Sequence, residues 1–243
     1  MAVTLGSSGI TFSDSTSQTT NPTGGMSSRG ADRGELIKVD TFGDGGGTWT
    51  NPGAKKVHVK LIGGGGGGSG YCESGGAGCY AEGLYDVTGV GTVAVTVGGG
   101  GSYCVYYTSA GQGGTTSFGS YISAIGGYGA NQQYSHSGGH GGNSASGQAV
   151  HAVGGSGCGH INSVGHCPAG VLGGSGYFGG PANHTRNHTN LGWVDAAAHG
   201  GVGGAPGSGG SGNTTDWGAS YTSRGHSAGN YGRPGIVIVY SYA

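Results

Sequence analysis

Glycine supplies 65 of the 243 residues and proline only six, and just 8% of the chain is charged, nine basic side chains against ten acidic ones. Collagen is excluded, because it needs glycine at every third position and abundant proline. A solvated linker is excluded by the 14 tyrosines and three tryptophans, and the net charge of −1 offers nothing to nucleic acid or an anionic membrane.

In chain order, residues 1–35 read as a polar leader. Within it, Ile10-Thr11-Phe12 suggests a short strand, Ser13 to Gln18 a turn, and Asn21-Pro22-Thr23-Gly24-Gly25 a loop. Leu36-Ile37-Lys38-Val39 starts a strand, Gly43 to Gly47 a turn, Thr48-Trp49-Thr50 a second strand and Asn51-Pro52-Gly53 another turn. Val57-His58-Val59-Lys60-Leu61 alternates with period two, as a half-buried strand does. Thr92–Val97 and Gly235–Tyr240 share that pattern, and Ser117–Ile122 and Gln148–Val153 carry it more faintly. Apolar residues nowhere recur at helical spacing for long enough to predict an amphipathic helix.

Glycine runs separate these strands. Gly63–Gly68 is unbroken, Gly98–Gly101 follows, and others step in threes: Gly138/Gly141, Gly139/Gly142, Gly173/Gly176/Gly179 and Gly201/Gly204/Gly207/Gly210. A polyproline-II helix repeats every three residues and has no internal hydrogen bonds. Glycine on two of its three faces lets several such helices pack backbone to backbone and satisfy one another's amides and carbonyls. The alternative, flexible linkers, is opposed by the hydrophobic strands on either side and by the number of glycine segments. The expected fold is therefore all-β and irregular: a small β-sheet module enclosing a packed array of glycine-rich polyproline-II (polyglycine-II) helices with variable loops. Residues 1–35 are expected to form a leader or attachment segment, and 36–243 a module closed by its N- and C-terminal strands, the last lying beside Val57–Ile62.

Fourteen of the 19 charged residues fall in the first 86 positions, and none lies between Val87 and Thr185, whereas nine of the ten histidines lie between His136 and His226. Met1–Ile10 has neither a basic stretch nor an apolar run, so no secretory signal is expected, and no stretch approaches the ~20 apolar residues of a membrane span. Five cysteines are an odd number, against a fully paired secreted framework. A protein made in a cytoplasm and released by another route, such as lysis, fits these features.

The stretch Gly47-Thr48-Trp49-Thr50-Asn51-Pro52-Gly53-Ala54-Lys55-Lys56-Val57-His58-Val59, running into Gly63–Gly68, resembles the leading strand of glycine-rich modules in bacteriophage tail-fibre proteins. Gly91–Gly101, Gly114–Gly119 and Gly232-Arg233-Pro234-Gly235-Ile236-Val237-Ile238-Val239 look like later landmarks of the same module. Gly9–Gln18 resembles a segment near the start of phage fibre proteins. Residues 36–243 and the leader carry the resemblance, and the order of the motifs makes it specific. It implies a receptor-binding tip adhesin of the T-even-like polyglycine-II kind, located on the virion tail fibre and made in the host cytoplasm. Its implied partners are a bacterial outer-surface receptor, protein or glycan, and other tail-fibre subunits. The N-terminus departs from that adhesin's fibre-attachment region, which leaves both a monomer on a trimeric fibre and a homotrimer open.

The large side chains concentrate between glycine runs, giving Tyr103, Tyr106, Tyr107, Tyr134, His136, His184, Arg186, His188, Trp193, Trp217 and Tyr221 as candidate receptor contacts. Tyrosine among Ser, Gly and Asn is the composition of recognition loops, because it offers a large amphipathic surface at small entropic cost. The structural alternative is that these aromatics cap the glycine array and pack on each other.

Cys158-Gly159-His160 and His166-Cys167 contain zinc-ligand types, but the spacing matches no standard finger, so no metal is expected. A local Cys158–Cys167 disulfide or plain packing is expected instead. Gly63–Gly68 lacks the Lys-Ser/Thr and helix of a phosphate loop. Acidic residues are too scarce near the histidines for a Ser-His-Asp triad, so neither an enzyme nor a cofactor is expected. Two other readings share the same packing, a structural subunit of an extracellular glycine-rich filament or matrix and an ice-binding bundle; the interrupting tyrosines oppose the latter.

Overall fold

The computed structural model describes residues 3–6, 9–12, 17–18, 34–70, 73–104, 108–131, 138–158, 172–180, 204–212 and 229–243. Near the N-terminus, strands β1 (Val3–Gly6), β2 (Gly9–Phe12) and β3 (Ser17–Gln18) form a small antiparallel sheet. The remaining strands are β4 (Leu36–Phe42), β5 (Gly47–Thr50), β6 (Lys56–Ile62), β7 (Tyr80–Asp86), β8 (Thr92–Thr96), β9 (Thr116–Phe118), β10 (Ile122–Ala124), β11 (Ala145–Ser146), β12 (Val150–Ala152) and β13 (Ile236–Tyr242). They make two unclosed antiparallel five-stranded sheets, one ordered β12-β7-β6-β13-β4 and the other β11-β10-β9-β8-β5. The domain is irregular and all-β.

Alternation decides which side chains meet between the sheets. Val57, Val59 and Leu61 of β6 and Val237 and Val239 of β13 point inward from one sheet. Val93 and Val95 of β8, Phe118 of β9 and Ile122 and Ala124 of β10 point inward from the other. Together with Trp49 they form one core, and the Trp49 and Phe118 rings meet edge to face at 5.6 Å. The C-terminal strand pairs along all seven residues of β6, Val239 opposite Val59, and so joins the chain's end to its first long core strand.

Several elements differ from the sequence expectation: β1 and β11 stand where no strand is expected, β3 lies in the expected Ser13–Gln18 turn, and two further cases have a local cause. Ser117–Ile122 is not one strand but a hairpin, β9 and β10, because Gly119 turns the chain through a left-handed conformation (φ +51°) and Tyr121 N–H bonds back to the Phe118 carbonyl. Strand β7 has no apolar alternation to announce it. Its inward positions include Ala81 and Gly83, and a β-carbon on Gly83 would strike the Tyr85 side chain.

At one end of the sheets the strands continue into glycine-rich segments whose hydrogen bonds step in threes. Gly63, Gly66 and Ser69 donate to Cys79, Gly76 and Glu73. Gly64 and Gly67 donate to Gly114 and Gly111, and Gly65 and Gly68 to Arg233 and Asn230. The carbonyls rotate likewise: Gly64 and Gly67 accept from Gly127 and Ala130, Gly65 and Gly68 from Gly101 and Cys104, and Gly66 from Gly210. The segment leaving β6 is thereby bonded to six neighbouring segments, and every residue from Gly63 to Gly68 is buried. A β-carbon on any of those six glycines would overlap a neighbour's carbonyl, so side chains are excluded by sterics.

Candidate functional site

Gly63 adjoins the sheets and Ser69 lies at the far end of the segment, and the far end is where several segments meet. Ser69 forms a parallel bridge with Cys104, and Ser109 an antiparallel bridge with Asn131. The Gly229 amide donates to the Cys104 carbonyl, Ser74 N–H to the Cys158 carbonyl at 2.9 Å, and Gly212 N–H to Ser74 Oγ at 3.1 Å. The described flanks of 105–107, 132–137, 159–171 and 213–228 are therefore tied to one another at this end.

Beneath that end lies a buried polar layer. Ser69 Oγ donates to Glu73 Oε2 at 2.7 Å with both residues fully buried, and Asn230 Nδ2 donates to Ser211 Oγ at 2.6 Å. Such groups persist in an interior only when hydrogen-bonded, so the layer holds the segment ends in one arrangement. Cys104 lies beside it. Burial pushes its thiol up, hydrogen bonds from Thr108 and Ser69 offset this only in part, and the nearby Glu73 carboxylate adds to the rise. A thiol so placed stays protonated at neutral pH and is a poor nucleophile.

Of the eleven candidate contacts, Tyr103 lies among the described residues. It is half-buried, and its ring meets that of Tyr231 edge to face at 4.8 Å. Tyr231 is 50% exposed and is an addition to the candidate set. Its signal is the same as for the others, an aromatic set between Gly229 and Gly232. Tyr106, Tyr107, Tyr134, His136, Trp217 and Tyr221 lie outside the described residues, in segments rooted at this far end.

His184, Arg186, His188 and Trp193 also lie outside the described residues, but their segment is rooted elsewhere. Its flanks meet where Ala205 N–H donates to the Gly180 carbonyl, and Gly207, two residues on, packs against Ile62 at the sheet end. The candidate residues therefore belong to segments rooted at two places rather than one.

Beside this second root the outer face of the first sheet carries an aromatic and ionic strip. Tyr177 stacks on Tyr80 with centroids 3.6 Å apart and planes 9° from parallel, and Phe178 meets both rings at near right angles. Tyr80 is thereby buried, while Tyr177 remains 59% exposed. Tyr80 Oη donates to Glu82 Oε2 at 2.7 Å, and that oxygen also faces His58 Nε2 at 3.5 Å and Lys60 Nζ at 3.8 Å. Burial, followed by the Glu82 carboxylate, pushes the Tyr80 hydroxyl far above the usual phenol range. Tyr240 closes the strip, its ring 5.9 Å from His58 and 5.8 Å from the Lys60 ammonium. The strip offers ring faces and one engaged carboxylate to a ligand, with no activated nucleophile.

Among the described residues Cys79, Cys104 and Cys158 are free thiols, and Cys167, the expected disulfide partner of Cys158, lies outside the described residues. The backbone of Cys158 is held against Ser74, with its side chain exposed. Among the described residues no group of three or more His, Cys, Asp or Glu side chains could hold a metal ion, and no helix is long and apolar enough to cross a membrane. No protein-family model and no curated protein matches the chain.

Proposed function

We propose that this protein is a bacteriophage tail-fibre adhesin that recognises a receptor on the bacterial surface, its glycine-rich segments being a packed array of polyglycine-II helices. The helical reading is supported by hydrogen bonds that change partner at each residue and return after three, the repeat of a polyproline-II helix. The adhesin reading rests on one observation. Segments carrying Tyr106, Tyr107, Tyr134, His136, Trp217 and Tyr221 are rooted together at the far end of a scaffold that has no room for side chains of its own. Binding side chains borne on loops over a rigid backbone framework are the usual division of labour in recognition proteins. The Tyr103–Tyr231 pair adds a described aromatic contact at the same end.

The test is adsorption of the purified, fluorescently labelled chain to a panel of bacterial strains. Saturable binding to a subset of strains is expected. A variant combining Tyr106→Ala, Tyr107→Ala and Trp217→Ala should bind at least about tenfold more weakly, since buried aromatic anchors dominate such interfaces, with its melting temperature unchanged. Absence of binding to every strain, or undiminished binding by the variant, overturns the reading.

A further inference from the structure

We infer that strand β4 is a self-complementary docking edge, through which two copies of the chain join in one specific antiparallel register centred on Val39. β4 is the terminal strand of its sheet, paired with β13 on one side only. Its residues are exposed or half-exposed throughout, with Leu36 at 48%, Ile37 at 43% and Val39 at 47%. It contains no proline, and no strand among the described residues pairs with its outer edge. Exposed edges of this kind template pairing with another chain, and proteins commonly blunt them with a lysine. β4 has such a lysine, Lys38, but places Asp40 two residues beyond it on the same face, with Lys38 Nζ 2.8 Å from Asp40 Oδ1.

That spacing selects a register. In a two-fold antiparallel pair that continues the sheet, the axis passes through a directly opposed pair, so one residue must face its own copy. Centring on Lys38 sets lysine against lysine, and centring on Asp40 sets aspartate against aspartate. Centring on Val39 places each Lys38 opposite the other copy's Asp40, so the four charges alternate in sign. Opposite charges directly across a ladder stabilise it and like charges destabilise it. Val39 is also the middle residue of β4, and this register sets the regular stretch Lys38–Asp40 of one copy against that of the other, with the bulge at Ile37 lying outside it. The same register sets Val39 against Val39 of the second copy, and Val39 already lies beside Tyr240 on the outer face. The row Tyr240–Val39 would then continue as Val39–Tyr240 across the joined sheet. The occupant that fits this edge is a second copy of this chain, and the inference stands independently of the adhesin reading.

Sedimentation velocity of the full chain over a concentration series reaching the high micromolar range tests this. The wild type should show a reversible monomer–dimer equilibrium. Lys38→Glu and Asp40→Lys each create two like-charge pairs across the axis and should weaken the dimer about tenfold or more. Mixing the two variants should restore a heterodimer. The glutamate introduced at position 38 of one chain then faces the lysine introduced at position 40 of the other, and the remaining Asp40 faces the remaining Lys38. The unfavourable pair within each chain persists in the mixture, so recovery reports contact between chains alone. As a check independent of charge, Val39→Cys should form a disulfide with its own copy under mild oxidation, identified by peptide mapping, whereas Lys38→Cys should not. A wild type that stays monomeric throughout, a dimer indifferent to both charge variants, or equal cross-linking by the two cysteine variants overturns the inference.

Discussion

A β-carbon placed on Gly65 would overlap the carbonyl oxygen of Ser208, which belongs to a neighbouring glycine-rich segment. The two backbones are in direct contact, and neither can retreat without breaking the hydrogen bonds that Gly65 shares with Arg233 and Gly101. Gly65→Ala should therefore cost about 3 kcal/mol or more, at or beyond the upper range of overpacking in a well-packed core. In a chain of this size that lowers the melting temperature by roughly 10 °C. Gly99→Ala is the matched control, since nothing lies within 4 Å of its β-carbon position. It should leave stability within about 0.5 kcal/mol of wild type. Calorimetry of the two variants side by side checks the contrast.

Asn51 knits the turn before β6 to the turn before β8. Its Nδ2 donates to the carbonyls of Ala54, Val87 and Val90, and its Oδ1 accepts from the amides of Gly53 and Ala54. Asn51→Ala removes all of these partners at once and should lower stability by about 2–3 kcal/mol, as expected when partly buried backbone groups lose hydrogen bonds. Asn51→Asp keeps the acceptor but sets a carboxylate oxygen against the carbonyls of Ala54, Val87 and Val90, so it should be at least as destabilised as the alanine variant. Urea unfolding followed by tryptophan fluorescence measures both.

The folded state holds protons on Tyr80, Cys79 and Cys104 past the pH at which the unfolded chain releases them. Burial is the leading cause in all three. Their ordinary values are 9.0 for the thiols and 10.0 for the phenol. Above these values the unfolded chain binds fewer protons than the folded one, so stability falls as pH rises. The contribution of these groups should be whole at neutral pH and decline progressively from about pH 9 upward. Tyr80→Phe removes one of them and should flatten the alkaline decline, even though it also loses the bond to Glu82. Unfolding free energies measured across the alkaline range would show no such flattening if Tyr80 were not among the groups responsible.

Thiol alkylation should separate the described cysteines by burial. Cys158 is exposed, whereas Cys79 and Cys104 are buried and their thiols are pushed up. Because the thiolate is the reactive form, iodoacetamide at mildly alkaline pH should modify Cys158 rapidly. Cys79 and Cys104 should react only after denaturant is added. Peptide mapping by mass spectrometry at timed intervals reads each site separately.

The long strands are legible because their side chains alternate. Lys56–Ile62 and Thr92–Thr96 send valines or leucine inward and mostly polar groups outward, and Ile236–Tyr242 alternates buried Val237 and Val239 with half-buried Ile238 and Tyr240. β7 is hidden because Ala81 and Gly83 carry too little apolar bulk to mark an inward face. Tyr103 is legible as a large ring between glycines, and Tyr177 and Phe178 follow the same rule without standing among the candidates. Glu82 is hidden for a different reason. It becomes a hub only when β6 and β7 pair with Lys60 opposite it.

By itself, the amino-acid sequence determined the class of structure. Alternating strands and long stretches without charge point to an irregular β-rich domain, and glycine at three-residue steps to segments that bring no side chains to pack. Only the tertiary structure decided which strands share a sheet, which segments adjoin Gly63–Gly68, and that the candidate loops spring from two roots. The physical reason lies in glycine itself. It has no side chain to specify a partner, so the register of Gly63–Gly68 follows from β6, the strand it extends. The strands are clamped by contacts such as Trp49 on Phe118 and Val239 opposite Val59, between residues distant in the chain.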